Sequence, residues 1–559
     1  MDEIFSWAVL AEKFFENGDA ESMRGAAQEI LELDKNSAEG NAIFAEAALY
    51  LGELDAAKTF AEKSLSTDPD NLRGRLILGG IAAENFRLKE EFKILNGVIE
   101  DCRSCGENFL ARKILFKALC WISDGLYLAG ESIAAAENLL EASGLTENKI
   151  RAAEIYSKHL FLRNYRDTPP EVIKNFAKGY NKFFADVKTF RHEKNFSAAK
   201  KIKIGYISPD FRYHAVANFI QPLLKNFDRE KFSVTCYHTG KSDSVTDIFR
   251  RNKISWRDLS SYDAQDAAQI IFRDRIEILV DLSGHSQNNC LPIMAHKPAP
   301  IQITALGYTA TTGLAAIDYF LSDKISSPEN STGFTEKILR VDGCHLCYAP
   351  IIPLPEILPR AEKNFVTFGS FNNFAKISDD VLKIWREILA GVPESNLIIK
   401  GKICSVEDGR AIVIEKLRKN NFPLDRVELR PYSRDYLEQY RDIDIALDTF
   451  PYNGGATTCE ALFMGVPVVV LRGKNHGSNF GASILTAANF PELIAENPDD
   501  YIKKAVRLGR HKRLLTTCHM KLREKILKSS LPDRSQYIKE LEKIYRSLSV
   551  RKNSDDKNL

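Results

Sequence analysis

The stretch Leu447-Asp-Thr-Phe-Pro-Tyr-Asn-Gly-Gly-Ala-Thr-Thr-Cys-Glu460 carries an apolar strand into glycines and hydroxyls and then into a helix. Ile443 to Leu447 reads as a buried strand and Cys459 to Met464 as a helix start. Gly454, Gly455, Thr457 and Thr458, with Asn453 and Ala456 beside them, therefore fall where unpaired backbone N–H groups cluster, and a diphosphate fits there. Glycines alone are weak evidence for such a cradle, so the reading leans on its surroundings. Glu460 closes the motif. A carboxylate near a helix N-terminus suits the helix dipole, and it is equally suited to accept hydrogen bonds from ribose hydroxyls.

Around this motif, short β-rich runs alternate with helical patterns. Phe365 to Phe368, Leu397 to Lys400, Val427 to Leu429, Ile443 to Leu447 and Val466 to Leu471 read as the strands of one unit. Lys200 to Ile207, Val234 to Tyr237, Ile278 to Leu282, Ile301 to Leu306 and Tyr319 to Leu321 read as those of another. The alternation argues for parallel sheets wrapped on both faces. The proline-rich run from Pro350 to Pro359 separates them. The fold class expected is α/β, two Rossmann-like domains facing a cleft, with ligands at the carboxyl ends of the strands.

The first hundred residues repeat with a period of 34. Ala11 recurs as Ala45, Gly18 as Gly52, Ala27 as Ala61, Leu31 as Leu65 and Asp34 as Asp68. A further unit fades in near Gly79 to Asp101, and Leu126 to Leu140, with Gly130, looks like another out of phase. This resembles the tetratricopeptide repeat, a stack of helical hairpins that presents a concave surface to a peptide. The expected organisation is a repeat domain at 1–165, a helical linker at 166–199, a first Rossmann-like domain at 200–349, a proline-rich linker at 350–362, a second such domain at 363–546 and a polar tail at 547–559.

Four more segments place unusual residues after strands. Ser208 to Ala215 contains His214, an imidazole able to act as a general base or to touch a phosphate. Asp281 to Asn289 contains His285 in a loop that reads as too polar for a core. Lys297 to Gly313 offers Leu306, Gly307, Tyr308 and Thr311 as a wall around a sugar or its acceptor. In Phe368 to Ile377, Asn373 accompanies Lys376, a cation near the start of a helix that does not benefit from it; aimed at a diphosphate, it offsets leaving-group charge. Beyond the cradle, Gly473 to Ser483, with Ser478 and Asn479, is placed to line the same pocket. Asp442-Ile-Asp444 imitates a metal clamp, but it leads a buried strand and is set aside.

Composition narrows the classes. The 559 residues hold 77 Lys plus Arg against 75 Asp plus Glu, scattered along the chain, which leaves no electrostatic footprint for nucleic acid or an anionic membrane. No apolar run approaches a membrane span, and Met1-Asp-Glu-Ile lacks the basic start of a signal peptide; the expected location is cytoplasmic. Ten cysteines in so long a chain read as free thiols rather than a disulfide framework. Cys102 with Cys105 and Cys344 with Cys347 are Cys-x-x-Cys pairs without the spacing of a zinc module.

Together these segments resemble the O-linked N-acetylglucosamine transferase family, glycosyltransferase family 41, and more closely its SPINDLY-like branch. The marks are Gly-Tyr-Ile-Ser-Pro-Asp-Phe at 205–211, Lys-Pro-Ala-Pro at 297–300, Phe-Gly-Ser-Phe-Asn-Asn-x-x-Lys at 368–376 and Leu-Asp-Thr-Phe-Pro-Tyr at 447–452. The resemblance implies a GT-B arrangement and a nucleotide-sugar donor. It also implies Ser or Thr acceptors on polypeptides docked by the repeats, inversion, and neither a metal nor another cofactor. It matches Lys376 to leaving-group stabilisation, Glu460 to the ribose and His214 to an active-site histidine. Gly455 and Ala456 stand where many members have His-Thr, Asn479 where many have arginine, and Thr309 and Ala310 where Pro-Gly or Pro-Asn is usual. UDP-N-acetylglucosamine is the expected donor, with GDP-fucose or UDP-glucose, or a weakly active scaffold, as alternatives. Acceptor proteins and assembly state are left open.

Overall fold

The structure, a computed structural model, describes residues 2–106, 108–192, 201–252, 254–358 and 363–555. Outside them lie residue 1 of the expected repeat domain, 193–199 of the helical linker, Lys200 at the start of the first Rossmann-like domain, 359–362 of the proline-rich linker and 556–559 of the tail. The chain divides into two compact units, Met1–Leu162 with Ile403–Val413, and Arg163–Lys402 with Ile414–Leu559.

The first unit is built on helical hairpins: α1 (Asp2–Glu16) with α2 (Ala20–Leu33), α3 (Ala38–Tyr50) with α4 (Leu54–Thr67), α5 (Leu72–Glu84) with α6 (Leu88–Ser104), and α7 (Phe109–Leu128) with α8 (Ser132–Ser143). The 34-residue period has a local cause. Ser37, Asn71 and Asn108 cap α3, α5 and α7 with their side chains. Each first helix ends on a left-handed residue, Gly18, Gly52, Phe86 and Gly130. The following residue's N–H bonds back five residues, as Glu53 to Ala48, Arg87 to Ala82 and Glu131 to Leu126. Ala11, Ala27, Ala45 and Ala61 are fully buried where helices meet. The unit near Gly79, faint in the sequence because Phe86 stands where the other hairpins have glycine, is a complete hairpin.

A charge cluster joins the first helices of all four hairpins. Arg73 of α5 pairs with Glu12 of α1 at 2.7 Å, with Glu39 at 3.0 Å and with Glu46 of α3. Lys117 of α7 pairs with Glu12 at 3.0 Å and Glu46 at 2.6 Å. Arg73, Lys117, Glu12 and Glu46 are all buried. Burial alone raises the Glu12 carboxyl, but Arg73 and Lys117 outweigh it and hold it at about 2.

The second unit holds two all-parallel sheets. The first has the order β3-β2-β1-β4-β5-β6-β7, from β1 (Ile202–Ser208), β2 (Phe232–His238), β3 (Ser255–Asp258), β4 (Ile278–Asp281), β5 (Ile301–Thr304), β6 (Tyr319–Asp323) and β7 (Lys337–Val341). The second has the order β10-β9-β8-β11-β12-β13, from β8 (Val366–Ser370), β9 (Ser395–Lys400), β10 (Val427–Arg430), β11 (Ile445–Leu447), β12 (Val468–Leu471) and β13 (Ile494–Ala495). Both show the reversal of strand order beside the first strand that marks a Rossmann switch point. This is the GT-B architecture expected. Central strands such as β4 and β12 are buried throughout, as sheets covered on both faces require. The chain then returns to the first sheet: in the terminal helix Arg534–Asp555, Tyr545 meets Tyr206 of β1 at 3.2 Å and Glu542 accepts from the Asp228 N–H at 2.6 Å. Among the described residues no helix is long and apolar enough to cross a membrane.

Phe86 at φ 53° is half exposed, so it strains the turn while burying little. Phe86→Gly is expected to stabilise the protein by about 1 kcal/mol, read as a higher thermal midpoint, whereas Gly52→Ala should lower it. A Phe86→Gly variant that melts earlier contradicts this account of the period.

Candidate functional site

The loops at the carboxyl ends of β8, β11 and β12 build the site. After β11, the Asp448 carboxylate accepts the N–H of Thr449 at 2.9 Å and of Gly454 at 2.8 Å, folding the chain into a tight loop. Gly454 has no room for a side chain: a Cβ there stands 2.4 Å from Thr457 Oγ1 and 2.6 Å from Thr458 Oγ1. Thr458 Oγ1 donates to the Gly454 carbonyl at 3.0 Å. The helix Ala456–Phe463 then starts at Gly455 without a side-chain cap. A Cβ at Gly455 would meet nothing nearer than the Phe480 ring, 3.8 Å away. The helix N-terminus is thus left open, with first-turn N–H groups and a positive dipole end facing the opening, which is an anion site. The helix begins three residues earlier than the sequence suggested, because Ala456 to Thr458 already take part in it.

Lys376 ends the turn Phe374–Lys376 after β8. Its Nζ donates to Asn372 Oδ1 at 3.2 Å and to the Asn453 carbonyl at 3.1 Å, and lies 4.5 Å from the Tyr452 ring centre. Burial pushes the ammonium down to about 8, with Asp448 pulling the other way. The helix that follows, Asp379–Gly391, is capped by Ser378 instead, so Lys376 is held toward the cradle. Asn373 is exposed and caps the turn through the Ala375 N–H. Its neighbour Asn372 is the inward residue, accepting from both Lys376 and Thr457 Oγ1, the latter at 3.1 Å. Asn453 is buried and braces the loop, its amide donating to the Thr449 carbonyl at 2.9 Å.

Glu460 is buried and accepts from the Tyr436 hydroxyl at 2.8 Å. Burial raises its carboxyl to about 7, against the Tyr436 hydrogen bond. Tyr213 lies on the loop after β1; burial raises its hydroxyl, and the charges of Tyr432 and Glu460 add to the rise. His214 follows it, with a side chain 42% exposed. Its Nδ1 stands 3.3 Å from the Val216 N–H and 3.7 Å from Asp210 Oδ2. Nδ1 accepts the Val216 N–H, which in the neutral ring leaves the proton on Nε2. Burial holds this imidazole below its ordinary value, Asp210 opposes, and Arg212 adds to the lowering.

The remaining candidates are more structural than their sequence suggested. His285 is core after all, correcting the expectation from its polar loop: it is 1% exposed, its Nε2 bonds the Thr312 carbonyl at 2.7 Å, and Tyr180 and Tyr308 stand edge-on to it. Leu306 has φ 60°. Gly307 passes so near the Leu282 carbonyl that a Cβ would approach it to 2.2 Å. The Tyr308 hydroxyl accepts from Asn164 at 3.0 Å. Thr311 donates to buried Glu336 at 2.5 Å. Ser478 is buried, and Asn479 bonds Gly473 and Asn475 at 3.0 and 3.1 Å, closing its own loop.

Asp323, Cys344 and His345 bring potential metal ligands within 4.8 Å of one another. Asp323 already accepts from Ile325 N, Ser326 N, His345 N, His345 Nδ1 and, at 2.7 Å, Ser483 Oγ, which makes it a pin between the two sheets. Asp442 and Asp444 lie before β11, away from the cradle; Asp442 pairs with Arg430 at 2.7 Å and Asp444 accepts from the Thr367 N–H at 2.8 Å. The ten cysteines stand as free thiols. Sequence reading missed Asn372, Asp448 and Tyr436; of these Asp448 alone carried a signal, an acid closing a buried strand.

The model of the family described as Glycosyl transferase family 41 matches residues 183–345 and 358–541. A protein of Solanum lycopersicum, named Probable UDP-N-acetylglucosamine--peptide N-acetylglucosaminyltransferase SPINDLY, is 38% identical over 364 residues, 62% of this chain and 39% of the relative. The Arabidopsis thaliana protein of the same name gives the same figures. The chain thus spans about two-fifths of the length of these relatives. A mutant O-GlcNAc transferase of Thermobaculum terrenum, a solved structure, is 26% identical with a TM-score of 0.73 over 99% of each chain.

Because the fold raises the Glu460 carboxyl, the stability it contributes is complete below the unfolded-state value of 4.5 and is lost as pH rises toward about 7. The ionised form then costs on the order of 3 kcal/mol. Glu460→Gln escapes that loss, so its thermal midpoint should exceed the wild type's at pH 8 and match it near pH 4.5. An equal difference at both pH values rules the assignment out.

Proposed function

The chain belongs to glycosyl transferase family 41, and we propose that it transfers N-acetylglucosamine from UDP-N-acetylglucosamine to Ser or Thr hydroxyls of polypeptides, with inversion. The observation that carries this is Lys376, held by Asn372 and Asn453 beside an uncapped helix N-terminus. The names of the relatives support the donor and the acceptor class.

In this reading the donor diphosphate accepts from the first-turn N–H groups at Gly455 to Thr458. Glu460 receives the ribose hydroxyls, displacing its bond to Tyr436. The acceptor oxygen attacks the anomeric carbon from the face opposite the diphosphate. The bond to the phosphate oxygen breaks, and its electron pair leaves on the nucleotide. Charge building there falls to the Lys376 ammonium and the helix dipole, groups fixed before reaction begins. The acceptor proton goes to a base; His214, part-exposed on the loop after β1 and beside Asp210, is our candidate. Neither metal nor other cofactor has a part in this scheme. The helical repeats dock the polypeptide, and the free thiols suit a reducing cytoplasm.

A different donor, GDP-fucose above all, is favoured by one feature: Gly455 and Ala456 leave the cradle mouth without a histidine side chain, and Asn479 is spent on its own loop. Calorimetric titration with UDP, GDP and their sugar conjugates separates the two. UDP binding that weakens in Glu460→Ala, together with acceptor-dependent turnover falling on the order of 10²-fold to 10³-fold in Lys376→Ala, is the expected result. Preference for GDP moves the assignment to fucose. Binding of neither nucleotide, or equal rates for wild type and Lys376→Ala, removes the enzyme reading.

A further inference from the structure

We infer that Asp448 is a positioning residue for the leaving-group side of the site, orienting Lys376 and Thr457 through the side-chain amide of Asn372. This rests on the glycosyl-transfer reading above.

Asp448 and Asn372 are both buried, at 1% and 5% exposure. Asp448 Oδ1 accepts from the Thr449 and Gly454 N–H groups and also, at 3.3 Å, from Asn372 Nδ2. With its NH2 turned to the carboxylate, the amide must present its oxygen to the other side, where Lys376 Nζ and Thr457 Oγ1 donate to it. A flipped amide sets NH2 against an ammonium and a hydroxyl, and oxygen against a carboxylate, so every contact turns unfavourable. The carboxylate therefore decides which way the amide points. One oxygen fixes both sides of the cradle: the glycine turn before the helix directly, and the lysine through one intervening residue.

The remaining oxygen, Oδ2, has no hydrogen-bond partner among the described residues, and Gly481 passes so close that a Cβ would lie 2.9 Å from it. The charge of Asp448 is thus poorly solvated and acts on its surroundings. Burial raises this carboxyl to about 7, while the Gly454 N–H and Lys376 pull it back. The titratable groups facing it are Lys376 from the turn after β8, Tyr440 from the turn Glu438–Asp442, and Tyr501 from the helix Pro498–Gly509, whose hydroxyl donates to the Asp448 carbonyl at 2.9 Å. Lys376 is the cation among them, so a negative Asp448 raises the pH at which Lys376 loses its proton.

The test combines Asp448→Asn, Asn372→Ala and the double variant. Donor kcat and KM are measured across pH, and the ionisation of Lys376 is followed by NMR of lysine carrying 13C at Cε, assigned with Lys376→Arg. Each single variant should lower kcat on the order of 10²-fold with little change in KM, and the double variant should lose no more than either, because all three act through one chain of contacts. In Asp448→Asn the alkaline limb and the Lys376 titration should both move to lower pH; in Asn372→Ala, which keeps the carboxylate, they should stay closer to wild type. Losses that multiply in the double variant, or a Lys376 titration unmoved by Asp448→Asn, overturn the inference. The NMR titration needs no substrate, so it decides the matter even if wild type proves inactive, an outcome that would sink the transfer reading alone. If Asp448→Asn does not fold, Asn372→Ala carries the test: unchanged kcat in it is equally fatal.

Discussion

A buried strand that ends in a carboxylate must find donors for it, and β11 meets that demand with its own downstream loop. Asp448 collects the N–H groups of Thr449 and Gly454, and the loop so formed delivers the chain to a helix start whose first-turn donors stay open. Backbone groups offset part of the cost of burying that charge, and an anion site is the by-product. Lys376 belongs to the same balance: a half-buried cation stays tolerable only while an acid and two oxygen acceptors stand by it.

The two sheets are held to each other by the same kind of arrangement. Asp323, at the end of β6, takes donors from its own turn, from His345 and from Ser483 of the second Rossmann domain. His476 lies beside it, its imidazole pushed down to about 3 by burial and by neighbouring His345, and its Nδ1 meets the Thr309 carbonyl at 3.2 Å. The loops that border the cleft are therefore fastened at a point behind the chemistry, and the terminal helix fastens them again at β1. An arrangement pinned twice keeps the two sheets in register.

Much of this was legible in the residues because central strands and cradle loops obey strong local rules. The apolar runs at β1, β4 and β12 and the glycines after β11 could be placed within a few positions. Three strands were not: β3, whose Ser-Trp-Arg-Asp is largely exposed, β7 and the two-residue β13. All three are edges, where a strand need not be apolar on both faces and leaves no run to read. The site divided along similar lines. Lys376 and Glu460 stood out by charge near a helix start, but an Asn-Asn pair does not say which member faces inward, and Asn372 emerged only from its partners. His285 misled because polar neighbours suggested a solvated loop, whereas Asp281 and the Thr312 carbonyl satisfy that loop from within.

The charge cluster among α1, α3, α5 and α7 sets this repeat stack apart from an ordinary one. Solenoids are usually modular: each hairpin leans on its neighbours, and units can be trimmed or inserted with local effect. Here Glu12, in the first helix, neutralises cations carried two and three hairpins away. Deleting the first hairpin would leave Arg73 with Glu39 and Glu46, but would take from Lys117 one of its two acids and uncover both cations. The array is thus tied across hairpins that are not neighbours, and its first and last hairpins depend on each other through buried charge.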